Sequence, residues 1–117
     1  MQPFSEAIDS RVLVCDGAMG TMLYAKGVFI NKSFDALNFT QPDLVAEVHQ
    51  EYVRAGADIV ETNTFGANRI KLGSFGVADQ LAAINAEGAR IAAPDATRLR
   101  HRPHPAARRP AARARPS

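Results

Sequence analysis

Two short polar clusters have the residue types and the placement for chemistry. The first is Asp16-Gly17, directly after the apolar run RVLVC at residues 11–15. The second is Glu61-Thr62-Asn63-Thr64, at the end of the run ADIV. A carboxylate that follows an apolar strand can accept hydrogen bonds from an ammonium group. A glycine beside it lets a ligand approach the backbone. Hydroxyls and backbone amides at Thr62 and Thr64 can hold a carboxylate, while Asn63 faces the opposite way by strand alternation. Each cluster also has a plainer reading. Asp16 can cap the following helix or hold a turn, and Thr is common in strands for its β-propensity alone.

Other reactive side chains carry less. Cys15 is the only cysteine in 117 residues, which excludes an internal disulfide and a self-contained cysteine-rich zinc site. Its place within an apolar run reads as a buried structural thiol. His49 falls on the expected polar side of a helix, and His101 and His104 lie in an aberrant tail with no ligand spacing. The stretch Gly17-Ala18-Met19-Gly20 completes no phosphate-loop or dinucleotide fingerprint.

The elements that must position the clusters follow from periodicity. Residues 11–15 read as a buried strand ending in a tight turn, and residues 18–26 as a short helix stopped by Gly27. Residues 28–39 show no period and read as a loop. Thr40-Gln41-Pro42-Asp43 has a capping Thr, an early proline and an acid three residues after the cap. Leu44, Val48 and Tyr52 then recur at helical spacing, with Val45 and Val53 beside them and Gly56 at the end. Residues 57–65 read as a second strand, 67–72 as one or two helical turns, and 77–92 as a further helix with Gly88 on its apolar face. This strand–helix alternation predicts an α/β fold, the N-terminal portion of a (β/α)8 TIM barrel with about two βα units. A full barrel needs about 250 residues, so residues 1–93 read as a partial barrel.

The formal charge of +2 hides two different stretches. Residues 1–93 hold 7 Lys/Arg against 11 Asp/Glu, a net of −4, and residues 94–117 hold 7 Arg against Asp95, a net of +6. The later stretch also has six Ala and five Pro. It has too little apolar surface to offset its ordering entropy and reads as a disordered tail. Codons rich in G and C, read out of frame, give this composition, so residues 94–117 read as frameshifted. The competing reading is a small nucleic-acid-binding protein that grips phosphates with this basic arm. No apolar run spans a bilayer and no secretory leader is visible, so the expected address is the cytoplasm.

Two blocks carry a family resemblance: VLVCDGAMGTMLYAKGV at residues 12–28 and EYVRAGADIVETNTFGANRIKL at residues 51–72. Together they resemble the opening of the homocysteine S-methyltransferase domain. The spacer FINKSFDALNFTQPDLVAEVH is most similar to members fused to methylenetetrahydrofolate reductase, and the blocks are also similar to the homocysteine domain of cobalamin-dependent methionine synthase. The likeness ends near Ala93. It implies a barrel in which three cysteines hold Zn2+, and the zinc keeps the homocysteine sulfur a thiolate that takes up a methyl group to give methionine. Residue by residue, it implies that Asp16 meets the substrate amino group, Gly17 offers backbone contact, and Thr62 and Asn63 lie near the amino-acid end. The zinc cysteines of the family fall in later strands. Methyltetrahydrofolate, cobalamin or FAD would act through downstream domains, and the methyl donor is left open. The chain is therefore expected to be inactive alone. A barrel enzyme of other chemistry is the remaining alternative.

The frameshift reading has a direct test. Reading the underlying nucleotide sequence in a shifted frame near codon 93 should restore a βα pattern and then show a cysteine followed by a Cys-Cys pair. If all three frames lack such a continuation, the Arg-rich segment is native.

Overall fold

The backbones of the two apolar runs meet at one point. Ile59 donates its N–H to the Val14 carbonyl at 3.1 Å and accepts the Asp16 N–H at 2.8 Å. This is a parallel bridge between Cys15 and Ile59. The computed structural model describes residues 3–29 and 31–101, and for 96–101 only the backbone. Among these residues the bridge is isolated, and no strand of longer pairing forms.

The two expected strands are thus corrected to two extended segments joined at a single bridge, and the fold is mostly helical. The reason lies in two carboxylates. A longer parallel ladder would pair the Val14 N–H with the carbonyl of Ala57, and the Glu61 N–H with the carbonyl of Asp16. Instead the Val14 N–H goes to Asp58 Oδ2 at 2.9 Å. The Glu61 N–H goes to Asp16 Oδ2 at 3.2 Å. Each end of the ladder is closed by an aspartate side chain. The outer sides of the segments are open, with Val12 82% and Phe65 103% exposed.

Helices pack against the segments. They are α1 (Phe4–Ser10), α2 (Met19–Ala25), α3 (Leu37–Thr40), α4 (Pro42–Ala55), α5 (Arg69–Ser74) and α6 (Leu81–His101), with a 3-10 turn at Ala78–Gln80. The expected Thr40 cap is corrected: Thr40 closes α3, its hydroxyl donating to Ala36 O at 3.3 Å, and Gln41 stands at the N-cap of α4 without a side-chain cap. Gly56 ends α4 in the left-handed region at φ 111°, as the sequence requires. Asn68 caps α5 by accepting the Lys71 N–H at 2.8 Å. The helices α1 and α3 carry no clear period and fall outside the sequence expectations. The tail expected without structure from Pro94 begins inside α6, which continues to His101, and residues 102–117 lie outside those described.

Leu23, Val28, Leu37, Val45, Val48 and Ile91 form one apolar cluster, where α2, α3, α4 and α6 converge. Ala67, Leu72 and Ile84 form a second between α5 and α6. A buried amide pair joins them. Asn38 is fully buried and donates to Asn63 O at 2.7 Å and to Ile84 O at 3.1 Å. Asn63 donates to Phe34 O at 2.8 Å and to Asn38 Oδ1 at 3.0 Å. Gly88 passes this pair so closely that a Cβ there would lie 2.8 Å from Asn38 Nδ2 and 2.7 Å from Thr64 Cγ2.

Removing the clamp should cost more than an ordinary surface change. Asn38→Leu keeps the volume but strands two carbonyls and the Asn63 amide, so stability should fall by roughly 2–4 kcal/mol. Chemical denaturation of both chains measures it, and a loss under about 0.5 kcal/mol would show that the clamp contributes nothing.

Candidate functional site

The end of the bridge nearest Asp16 gathers most of the residues singled out from the sequence. Asp16 is half-buried, and its Oδ2 accepts from the Glu61 N–H, which brings it beside Thr62. Its other oxygen accepts from no other residue among those described. Burial pushes the Asp16 carboxyl above its ordinary value, the Glu61 N–H opposes this, and the nearby Glu61 charge adds to the rise. A positive group placed at this mouth would therefore be attracted by two acidic side chains.

Thr62 is exposed and Thr64 half-buried, with their hydroxyls 2.6 Å apart. The Thr64 N–H reaches Thr62 O at 2.9 Å, a tight three-residue turn centred on Asn63. Alternation holds as expected: Asn63 is buried on the opposite side. Its side-chain amide is taken up by Phe34 and Asn38, so the structure gives it a positioning place and not an exposed contact. Gly17 is exposed, and its N–H donates to nothing among the described residues.

Two expectations are corrected here. Cys15 is exposed and not a buried thiol, because only one side of its segment is covered. His49 is fully buried, and neither ring nitrogen has a hydrogen-bond partner among the described residues. The sequence did hold the signal. His49 lies four residues after Val45 and four before Val53, both buried on α4. Burial pushes its pKa below the ordinary value, while the charges of Asp95 and Asp16 act against that shift. Periodicity also missed Asp35, which is buried in the aperiodic stretch before α3 and accepts the Gly66 N–H at 3.1 Å. Its carboxyl is raised by burial, against that N–H and the Lys71 charge.

The zinc chemistry that the family resemblance implies can be tested against these residues. Among those described, no three His, Cys, Asp or Glu side chains stand together as a metal site. Cys15 is the only thiol in the sequence. The residues present do not fit a zinc centre, which needs several thiolates, and no step is assigned through one. No helix among the described residues is long and apolar enough to cross a membrane.

The family model of homocysteine S-methyltransferase matches residues 13–108. The chain belongs to the homocysteine S-methyltransferase family. The match runs past Ala93, where the motif likeness stops. The methionine synthase of Mycobacterium tuberculosis (strain ATCC 25618 / H37Rv) is 40% identical over 93 residues, covering 74% of this chain and 8% of that protein. The methionine synthase of Mycobacterium leprae (strain TN) is 40% identical over the same length and shares. The crystal structure of the homocysteine methyltransferase MmuM from Escherichia coli, in its metallated form, superposes with a TM-score of 0.66 at 28% identity. It covers 78% of this chain and 33% of the MmuM chain. The chain thus spans 8% of the length of the two methionine synthases.

His49 gives a pH test. Its folded pKa lies below the unfolded value of 6.5, so its neutral form supports the fold above pH 6.5. Below that pH the unfolded chain gains a proton that the folded chain resists, and stability falls until the folded pKa is passed. The raised carboxyls of Asp16 and Asp35 act the other way, adding stability as pH falls through their folded values toward 3.8. Thermal melts from pH 7 to pH 5 should fall for the native chain and fall less for His49→Leu. Parallel losses in the two would contradict an unpaired buried imidazole.

Proposed function

We propose that this chain forms the amino-acid-recognition end of a zinc-dependent homocysteine S-methyltransferase, and that it binds homocysteine without methylating it on its own. The observation that carries the reading is the half-committed carboxylate of Asp16. One oxygen accepts from the Glu61 N–H, the other accepts from no other residue among those described, and the adjacent Gly17 N–H donates to none of them. A zwitterionic amino acid needs an acceptor for its ammonium and donors for its carboxylate. Asp16 supplies the first, with Glu61 adding negative charge. The Gly17 N–H and the Thr62 hydroxyl supply the second. Asn63 contributes from behind, by holding the turn that presents Thr62.

The substrate ammonium also answers the cost of burying Asp16. Burial disfavours the charged carboxylate, and a cation at the free oxygen favours it. Binding therefore favours the ionised form that partial burial opposes. The thiol of homocysteine would be activated by zinc held on cysteines of later strands, and the methyl donor would enter through further domains of the whole enzyme. The residues of this chain do neither, so turnover requires those parts. The proposed setting is a soluble enzyme of the cytoplasm.

Titration of the 15N-labelled chain with L-homocysteine should shift the amides of Asp16, Gly17, Glu61 and Thr62. Asp16→Asn should weaken binding by about 10- to 150-fold, the equivalent of one charge-assisted hydrogen bond. Thr62→Val should weaken it less, because its hydroxyl is neutral. Asp16→Asn should also erase the preference for homocysteine over 4-mercaptobutyrate, which lacks the ammonium. Unchanged affinity in Asp16→Asn would return Asp16 to the simpler role of closing the ladder.

A further inference from the structure

The Asp16–Ala18 turn is held from three sides, and one of the three comes from a helix that the substrate reading does not use. The Asp16 N–H is fixed on Ile59 O at 2.8 Å, and Asp16 Oδ2 on the Glu61 N–H at 3.2 Å. The third hold is on Ala18. The Tyr52 hydroxyl donates to Ala18 O at 2.7 Å, joining positions 34 residues apart. The same ring lies against Gly17. A Cβ on Gly17 would stand 2.9 Å from Tyr52 Oη, 3.0 Å from Cε1 and 3.2 Å from Cζ. Gly17 is at this position because the phenol occupies the space of a side chain.

Tyr52 is half-buried, and the rest of its ring packs on the cluster that includes Leu23 and Val48. It is therefore fixed at its base by apolar contact and free to act only through its hydroxyl. Ala18 stands at the N-cap of α2 and has no side-chain cap of its own. Among the described residues, Tyr52 is the one side chain that bonds the Ala18 carbonyl.

We propose that Tyr52 is a positioning residue, whose hydroxyl and ring set the conformation of the Asp16–Ala18 turn and so fix how Asp16 and the Gly17 N–H meet the amino-acid end of the substrate. The substrate half of this rests on the homocysteine reading above; the bracing of the turn does not. The step is one of position alone, with no bond made or broken. It divides the work on α4: Tyr52 shapes the turn directly, while His49, one helical turn earlier, lies buried and touches it only by charge.

The test uses the full 117-residue chain. Tyr52→Phe keeps the ring and removes the bond to Ala18. Its thermal midpoint should stay close to that of the native chain. Its 15N relaxation should show faster internal motion at Gly17 and Ala18, and homocysteine should bind about 3- to 10-fold more weakly. Gly17→Ala should weaken binding further, because the new Cβ meets the phenol. Gly17→Ala combined with Tyr52→Leu removes that clash and should bind better than Gly17→Ala alone. A purely structural Tyr52 would lower the midpoint without this recovery. If Tyr52→Phe leaves both the Gly17 and Ala18 relaxation and the affinity unchanged, the proposal is overturned. If the native chain binds no homocysteine, the substrate reading fails by itself. The relaxation of Gly17 and Ala18 in Tyr52→Phe then still decides the brace.

Discussion

Ile59 bonds to Val14 on one side and to Asp16 on the other, and with the Asp58 N–H, which also donates to Val14 O at 2.7 Å, these hydrogen bonds make the only backbone pairing between the extended segments among the described residues. They fix the register of everything nearby. Asp58, one residue before Ile59, reaches the Val14 N–H and forms an ion pair with Arg11 at 3.1 Å. Glu61, two residues after, reaches the Asp16 carboxylate. A shift of one residue in this register would turn Asp16 to the other face and exchange the exposed and buried positions of Thr62 and Asn63. The placement of the candidate site is thus a consequence of one backbone contact.

The aspartates at the two ends of that contact have different surroundings. Asp58 is mostly buried and shares the Arg11 charge, so it acts as a staple at the base. Asp16 forms no ion pair with a Lys or Arg among the described residues, and burial works against its charge more than the nearby His49 supports it. A carboxylate held half-buried beside a second acid, with one oxygen uncommitted, costs stability in the unliganded chain. That cost is common where a ligand supplies the missing charge.

α4 links the core to this site. Val45, Val48 and Val53 anchor it, Lys26 of the neighbouring turn bonds Glu47 and Glu51 at 2.8 and 2.6 Å on its outer side, and Tyr52 reaches the Asp16–Ala18 turn. The ion pairs are on the surface and contribute little. The apolar anchors carry the helix, and His49 among them is the exception, a polar ring buried without a hydrogen-bond partner among the described residues. The amide pair Asn38–Asn63 does the equivalent work on the other flank, where every polar atom that is buried finds a partner.

The sequence by itself determined the family, through two blocks whose residues are specific in type and spacing. It also determined α4 and its Gly56 stop, and the extended segments that meet at Cys15 and Ile59, because these follow from local periodicity and backbone preference. Tertiary structure decided the rest. It reduced two expected strands to one bridge, since side-chain carboxylates captured the amides a ladder would use. It buried His49 and exposed Cys15, since burial depends on which faces meet a neighbour and not on residue type. It gave Asp35, Asn38 and Tyr52 their roles, which rest on contacts between residues 25 to 46 positions apart. Periodicity reports only the face a residue shares with its near neighbours; which carbonyl or amide it meets across the chain is set by packing.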